Sequence, residues 1–193
     1  MTIFKKRLVF ALLGFLLFAS GLTLWYLRWT AEECAVDETV IREAFSGNEV
    51  SYYVILDTTQ PVGRMGISSF HSRELGLPPR TRFSYTARNI LRFHIPSNLD
   101  LPHPFRLVDQ KRLDALYGLG RHASAQDDEL AGLLQRSWGV ITLSRVGFDR
   151  RMEHAVVYAQ LTYCGLCGRG TYFYLSKETG VWHVVASAWT WIS

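Results

Sequence analysis

An uncharged, largely apolar run from Leu8 to Leu27 is the feature that most limits how this chain can fold. At 1.5 Å of rise per residue the run makes roughly 30 Å of helix, the thickness of the hydrocarbon core of a bilayer. Basic residues precede the run, and aromatic residues stand at its far end. By the positive-inside rule this order predicts a cytoplasmic tail over residues 1–7, a transmembrane anchor over residues 8–27, and an exported remainder.

A cleaved signal peptide is the alternative interpretation, because it also begins with basic residues. Ala19-Ser20-Gly21 has the small residues of a signal-peptide cleavage site, but the apolar run continues past it to Leu27. The apolar stretch of a signal peptide is usually about 7–15 residues long. The pattern therefore favours an uncleaved anchor. It predicts a single-pass protein of the inner (plasma) membrane, with the N-terminus in the cytoplasm and the C-terminal domain outside it.

The positive charge of the chain is concentrated in front of the apolar run. The chain holds 21 Lys and Arg against 17 Asp and Glu, and Lys5, Lys6 and Arg7 account for most of the excess. The rest is nearly neutral, whereas a nucleic-acid binder needs a concentrated basic face. We therefore expect no nucleic-acid partner. The expected partners are the membrane, and an envelope protein or a small ligand.

The chain after the run predicts a connecting helix over residues 31–46 and one domain over residues 50–193. The stretch Val50–Leu56 is rich in β-forming residues and predicts a strand. Capping residues and apolar periodicity then predict three helices, at Thr81–Arg88, from Asp109 to Tyr117, and after Ser124.

From Gly139 onward the apolar pattern changes to a period of two. This pattern predicts four strands joined by short turns, at Gly139–Val146, His154–Tyr163, Thr171–Ser176 and Val181–Trp191. Short connections favour antiparallel neighbours. The predicted fold class is therefore α+β, with short helices packed on a four- to five-stranded antiparallel meander sheet. One face is expected to form the core, with Ala155, Val157, Ala159, Leu161, Phe173, Leu175, Trp182, Val184 and Ala186.

The opposite face of this sheet is the candidate ligand or partner surface. It carries Tyr158, Gln160, Tyr172, Tyr174 and His183. Aromatic side chains with polar tips can pack or bind with the same groups, so a half-hydrated sheet surface is the alternative. Arg145 lies on a neighbouring strand, where it is either an anion clamp or the partner of a carboxylate at the sheet edge.

Seven short motifs lie between residue 85 and the C-terminus: Tyr85-Thr86-Ala87-Arg88-Asn89, Leu143-Ser144-Arg145-Val146-Gly147-Phe148, Ala155-Val156-Val157-Tyr158, Cys164-Gly165-Leu166-Cys167-Gly168-Arg169-Gly170, Tyr172–Leu175, Gly180-Val181-Trp182-His183-Val184 and Trp191-Ile192-Ser193. Together they resemble a group of bacterial exported or membrane-anchored proteins to which no function is assigned. The resemblance implies a shared fold and no particular reaction. The Gly-x-Trp-x-Val strand is also similar to the last strands of NTF2-like domains, which implies a sheet that curves around a pocket.

Cys164 and Cys167 form a C-x-x-C pair in a predicted turn between two strands. In an exported protein such a pair predicts a structural disulfide. A thioredoxin-type site needs its first cysteine at a helix N-terminus, and zinc needs two further ligands. Redox activity is therefore the alternative and no metal site is predicted. Cys34 is left over near the predicted anchor, where it could link two chains as a dimer.

No specific catalytic motif is present in the sequence. It contains no H-E-x-x-H or His-x-His cluster and no G-x-S-x-G elbow, so we predict no catalytic residue and no cofactor. The sequence favours a non-enzymatic binding or interaction module at the cell envelope over an enzyme. Two alternatives stay open: a thiol-disulfide redox protein that uses Cys164 and Cys167, and a pocket enzyme built on an NTF2-like cone.

Overall fold

The structure is a computed structural model that describes residues 3–46, 50–61, 67–117, 125–163 and 167–193. The described helices are α1 (Ile3–Phe45), α2 (Ser69–Glu74), α3 (Pro79–Arg88), α4 (Gln110–Tyr117) and α5 (Ala125–Arg136). The strands are β1 (Tyr53–Leu56), β2 (Phe105–Val108), β3 (Val140–Leu143), β4 (Gly147–Phe148), β5 (His154–Thr162), β6 (Gly168–Glu178) and β7 (Val181–Ile192). The class is α+β, as predicted.

All of these strands form one mixed sheet, in the order β2-β1-β3-β5-β6-β7 with β4 beside β5. Strand β1 runs parallel to both of its neighbours, β2 and β3. The predicted four- to five-stranded antiparallel meander is therefore wrong for this half of the sheet. The reason lies in the connections, because helices separate β1 from β2 and β2 from β3. Connections of this length allow strands to return in parallel.

The other half of the sheet is the predicted meander. Strands β3, β5, β6 and β7 pair antiparallel in chain order. The β6–β7 ladder shifts register between Gly170 and Thr171 and again between Tyr174 and Leu175. Each shift reverses the direction in which the following side chains point. Ala186 consequently pairs with Tyr174, and its predicted place on the core face is wrong.

The C-terminal part of α1 covers the core face of the sheet. Val36, Val40 and Ile41 recur at helical spacing and are completely buried. At the end of the helix the ring of Phe45 contacts that of Phe173, with centroids 6.4 Å apart. These helical residues belong to the compact unit Cys34–Ser193, which also holds the whole sheet. The predicted connector is thus part of the folded unit from Cys34 onward.

Helices also cover the opposite face, which we call the tyrosine face because it carries Tyr158, Tyr172 and Tyr174. The buried residues there form two clusters, Ile67, Leu75, Leu77, Tyr85, Val156, Tyr172 and Ala188 beneath α2 and α3, and Val54, Leu56, Val108, Leu113, Leu130 and Val140 beside α4 and α5. Strands β1 and β3 are buried at every position, since both faces of the sheet are covered.

The first helix is continuous, but the predicted membrane anchor is wrong. Among the residues that the structure describes, none of the helices combines the length and the apolar character that a membrane span requires. The predicted single-pass inner-membrane localisation and the membrane as a partner are therefore not supported.

Cys164 lies outside the described residues, so the predicted C-x-x-C turn is not placed. Cys34 lies on α1 and is not part of a disulfide bond. Cys167 precedes β6, and its carbonyl accepts the N–H of Tyr163 at 3.1 Å. Cys167 is half of a disulfide bond, and because Cys164 lies outside the described residues, the predicted pairing of the two stays a prediction. The Cys34-linked dimer stays a prediction.

Candidate functional site

The inward face of α3 is fixed to the body of the protein. Thr81 and Tyr85 are four residues apart, on one side of the helix, and both are completely buried. Asn89, one turn further on, is the C-cap residue and is also buried. Buried polar side chains are costly unless they are hydrogen-bonded. The partners of Asn89 therefore show what holds this end of the helix in place.

The Asn89 side chain ties α3 to the segment between β3 and β4. Its Nδ2 donates to the carbonyl oxygens of Tyr85, at 2.9 Å, and Arg145, at 2.8 Å. Its Oδ1 accepts the N–H of Arg145 at 2.8 Å. One buried amide thus satisfies both backbone groups of Arg145, which lies outside the strand ladders.

Three further contacts join the same two segments. Arg88 donates to the carbonyl of Val146 at 2.9 Å, and the N–H of Phe148 donates to Ser84 Oγ at 3.2 Å. Gly147 lies so close to α3 that an added Cβ would collide with the backbone of Tyr85. Residues 85–89 and 143–148, two of the motifs that carry the sequence resemblance, therefore pack on each other. Their geometry has a structural explanation that requires no reaction.

The phenol rings beneath α3 form a packed cluster. The centroid of Tyr172 lies 5.8 Å from that of Tyr85 and 5.1 Å from that of Tyr158. Trp191 Nε1 donates to Tyr158 Oη at 2.9 Å. The indole of Trp191 fits there because Gly170 has no Cβ, which would collide with both the Tyr158 hydroxyl and the indole nitrogen. The cluster is closed by helices on one side and by Trp191 at its edge.

Burial controls the acidity of these phenols. It raises the pKa of Tyr172 to about 12 and that of Tyr85 well above its ordinary value. Burial, and then the nearby charge of Asp149, raise the pKa of Tyr174. Tyr85, Tyr172 and Tyr174 are therefore neutral at ordinary pH and are not a source of nucleophilic phenolate.

The residues predicted to form one binding face are distributed over different environments. Tyr158 and Tyr172 are in mutual contact but lie beneath the helices. The Arg145 guanidinium stacks on the ring of Phe93, 3.8 Å from its centroid. His183 is exposed on the edge strand β7, and Gln160 donates to Thr162 Oγ1 at 3.0 Å. The structure does not bring His183 and Arg145 together in a pocket.

The outward side of α3 borders a cavity of about 540 Å³ that we call the arginine cavity. It is lined by Pro78, Pro79, Arg80, Asp149, Arg150 and Arg151. Arg80 is in the first turn of α3, and Arg150 and Arg151 are in the turn between β4 and β5. The two segments are adjacent because Gly147 and Phe148 dock on α3. The contacts that fix the inward face of the helix therefore also assemble this cavity.

The lining of the arginine cavity has a net positive charge. Its single carboxylate, Asp149, uses Oδ1 to accept the N–H groups of Glu153, at 2.9 Å, and His154, at 3.3 Å. Within the described residues the guanidinium groups of Arg80, Arg150 and Arg151 form no ion pair or hydrogen bond with the protein. The positive end of the α3 dipole points the same way, because α3 begins at Pro79.

A second cavity of about 340 Å³, the phenylalanine groove, lies beside the first. It is lined by Ser72, Leu77, Pro79, Arg82, Phe83 and Thr86. Pro79 lines both cavities. Phe83 is 76% exposed, which is unusual for a large apolar side chain at the centre of a helix that packs on the core. A cationic cavity therefore adjoins an apolar groove.

Sequence reasoning missed both cavities. Arg80 and the Arg150-Arg151 pair are about 70 positions apart in the chain, so only the docking of β4 on α3 brings them together. One signal was available, since residues 73–92 hold five arginines and a single acidic residue. That excess of charge indicates a basic surface but does not identify the opposite wall, which the Asp149 turn supplies.

Comparison with known proteins adds no further constraint. The described residues contain no group of three His, Cys, Asp or Glu side chains that could hold a metal ion. The chain matches no protein-family model, no curated protein and no solved structure. The resemblance to exported bacterial proteins stays a prediction, and the function has to be inferred from the site.

Proposed function

We propose that this protein is a binding module that holds an anionic group in the arginine cavity. The observation that carries the proposal is the convergence of Arg80, Arg150 and Arg151 on one cavity without ion-pair partners among the described residues. Arginines at a protein surface usually find a carboxylate or extend into water. Here two rigid features, the Pro78-Pro79 helix start and the Asp149 turn, hold the arginine backbones on opposite walls.

The chemistry of guanidinium selects the class of anion. Its planar fork presents two parallel N–H donors to a phosphate or a carboxylate, and such charge-assisted bonds are about twice as strong as neutral ones. A phosphate has enough oxygens for more than one guanidinium group. Since Asp149 has its carboxylate engaged by two backbone N–H groups, it competes weakly for the arginines. The ligand group is therefore a phosphate or a multiply charged carboxylate.

The phenylalanine groove offers a place for an apolar part of the same ligand. Leu77, Pro79 and Phe83 offer apolar surface directly beside the cationic cavity. Burial of apolar surface stabilises a complex by about 25 cal/mol per Å². A ligand that joins an anionic group to an apolar group would use both cavities at once, as a phosphorylated or acidic molecule with a short hydrocarbon part does. Arg82 at the rim adds a further cation.

Isothermal titration with inorganic phosphate and with octyl phosphate at low ionic strength tests the proposal. The full chain is compared with the triple variant Arg80→Gln, Arg150→Gln, Arg151→Gln. A matched control is Arg136→Gln, an exposed arginine on α5 that lines neither cavity. Added NaCl should weaken binding, since electrostatic attraction between exposed charges is screened within about 10 Å at 0.1 M salt.

We expect the triple variant to bind both probes at least about tenfold more weakly, because charge-assisted bonds contribute about 1.5–3 kcal/mol each and tenfold is 1.4 kcal/mol. Arg136→Gln should bind like the unmodified chain. Equal binding by all three proteins, or no phosphate binding by the unmodified chain, would show that the arginine cavity is not an anion site.

A further inference from the structure

The outward side of α3 carries exposed apolar side chains that we call the outer stripe. Phe83 and Ala87 are exposed one turn apart on the helix, and Ile90 and Leu91 follow immediately after it. Phe83, Ile90 and Leu91 are 76%, 72% and 65% exposed. Single apolar side chains are common on protein surfaces, but several together mark a contact with another protein or with a membrane.

The packing of the core does not explain the outer stripe. The residues that fix α3 to the body of the protein, Thr81, Tyr85 and Asn89, lie on the other side of the helix and are buried. A helix that packs on a core with one face normally presents polar residues on the opposite face. The outer stripe breaks this pattern, so its apolar side chains are available for a contact outside the chain.

Cations lie around the outer stripe. Between residues 75 and 99 the chain holds four arginines and no Asp or Glu. Arg82 lines the phenylalanine groove together with Phe83, and Arg92 is exposed at the other end of the stripe. Pro79 joins the phenylalanine groove to the arginine cavity, because it lines both. The surface therefore combines protruding apolar side chains with positive charge.

This combination favours a bilayer over other anionic partners. Ile90 and Leu91 are aliphatic, whereas the surfaces that hold nucleic-acid bases use stacking on aromatic rings. A protein partner needs a complementary surface of about 800 Å² on each side, and strongly protruding side chains do not form one by themselves. The interface of a bilayer accepts apolar side chains of any shape, and its anionic headgroups attract arginine at the same depth.

We propose that the outer stripe enters the surface of a bilayer that contains anionic phospholipid, while the arginine cavity holds the phosphate of a lipid headgroup. This inference rests on the proposed anion site and names the class of molecule that carries the anion. Guanidinium groups bind phosphate oxygens through paired N–H donors. The contact lies at the membrane surface and uses α3, so it does not require a helix that crosses the membrane.

Photochemical cross-linking at position 90 tests this contact in the full chain. A photoreactive benzoylphenylalanine replaces Ile90, and the chain is irradiated with vesicles of phosphatidylcholine, either alone or with about one-third of the anionic lipid phosphatidylserine. Mass spectrometry of the cross-linked peptide identifies the adduct, so the measurement concerns the lipid beside position 90 and not lipid bound elsewhere on the chain. The control position is Tyr163, which is exposed and follows the end of β5 farthest from β4.

We expect at least about fivefold more lipid adduct at position 90 with the anionic vesicles than with phosphatidylcholine alone, a difference of about 1 kcal/mol. Position 163 should show no such difference, and added NaCl should reduce the adduct at position 90. Phe83→Ser combined with Leu91→Ser should lower that adduct at least about tenfold at limiting lipid, because insertion depends on buried apolar area. The matched control Val185→Ser, at a half-exposed valine on β7, should leave the adduct unchanged.

Equal lipid adduct at positions 90 and 163, equal adduct with both kinds of vesicle, or a double variant that cross-links like the unmodified stripe would each overturn the inference. An adduct at position 90 with another protein chain in place of lipid would do the same. Titration of the same chains with inorganic phosphate separates this inference from the proposed function. Phosphate binding without a lipid adduct would leave the anion site standing and overturn only its assignment to a bilayer, whereas the absence of both would overturn both proposals.

Discussion

The two faces of helix α3 differ in how their polar side chains are used. On the inward face Asn89 has three side-chain hydrogen bonds to backbone groups, and Ser84 has one. On the outward face Arg80 has none within the described residues, and Phe83 is exposed. A side chain whose bonds are already made within the protein contributes to stability. One that is held in place without partners is available to a ligand.

The comparison assigns stability and binding to opposite sides of one ten-residue helix. Substitutions on the inward face should change the free energy of unfolding, and substitutions on the outward face should change affinity while stability stays nearly constant.

The largest expected effect is that of Asn89→Leu on the inward face. The substitution keeps the branched shape of the side chain but leaves the N–H of Arg145 without the Asn89 acceptor and removes one donor from its carbonyl. A buried, unsatisfied backbone group costs about 1–3 kcal/mol, and each further lost bond about 1 kcal/mol. We expect the free energy of unfolding to fall by about 3–5 kcal/mol, as measured by urea denaturation.

The control on the outward face is Arg80→Gln, which should change the free energy of unfolding by less than about 0.5 kcal/mol. A small loss for Asn89→Leu would mean that the inward face is not what fixes α3.

The sequence predicted the elements that depend on local order. The meander from β3 to β7 follows from alternating apolar residues and short turns, and α4 begins after its predicted cap, where Asp109 Oδ1 accepts the N–H of Arg112 at 3.0 Å. The parallel pairing of β1 was missed, because the four residues Tyr53–Leu56 are all buried and show no alternation. A short apolar run does not reveal the direction of its neighbours.

The site was harder to predict than the fold. A tyrosine face with period two can be read from β5 and β6, but whether helices cover it depends on α2, which has only six residues and no clear periodicity. The register shift near Tyr174 also moved Ala186 to that face. Arg80 and Arg150 come together only through tertiary docking. Sequence spacing therefore indicated which side chains are aromatic or basic and not which of them meet.

The second effect is a loss of stability at high pH that depends on Tyr172. Its pKa is 10.0 in the unfolded reference and about 12 in the fold, because burial disfavours the phenolate. The folded state thus binds the Tyr172 proton more tightly than the unfolded state does. The contribution of this phenol to the free energy of unfolding is therefore complete below about pH 10 and is lost as the pH rises through 12. Two pKa units correspond to about 2–3 kcal/mol. We expect the urea midpoint of the unmodified chain to fall over this range more steeply than that of Tyr172→Phe.

The control for this titration is Tyr163→Phe, at an exposed tyrosine. Its urea midpoint should keep the steep decline of the unmodified chain, because the substitution leaves the buried Tyr172 in place. If the urea midpoints of Tyr172→Phe and Tyr163→Phe fell equally with rising pH, alkaline unfolding would have another origin. The tyrosine cluster would then be more open to water than its burial indicates.

The smallest expected effect is that of Phe83→Ser on the outward face. Because the ring is 76% exposed, its removal should change the free energy of unfolding by less than about 0.5 kcal/mol, within the usual range for surface substitutions. Inorganic phosphate has no apolar part, so its affinity should also stay the same.

Octyl phosphate separates the two cavities that flank Pro79. Its headgroup uses the arginine cavity, and its chain gains affinity only if it lies in the phenylalanine groove, where each buried CH₂ contributes about 0.8 kcal/mol. Phe83→Ser removes one wall of that groove while leaving all three cavity arginines in place. We therefore expect octyl phosphate, measured by titration calorimetry, to bind roughly fivefold more weakly to Phe83→Ser, a change of about 1 kcal/mol. If its affinity is unchanged, the alkyl chain does not use the groove, and the outward face of α3 binds through its cations alone.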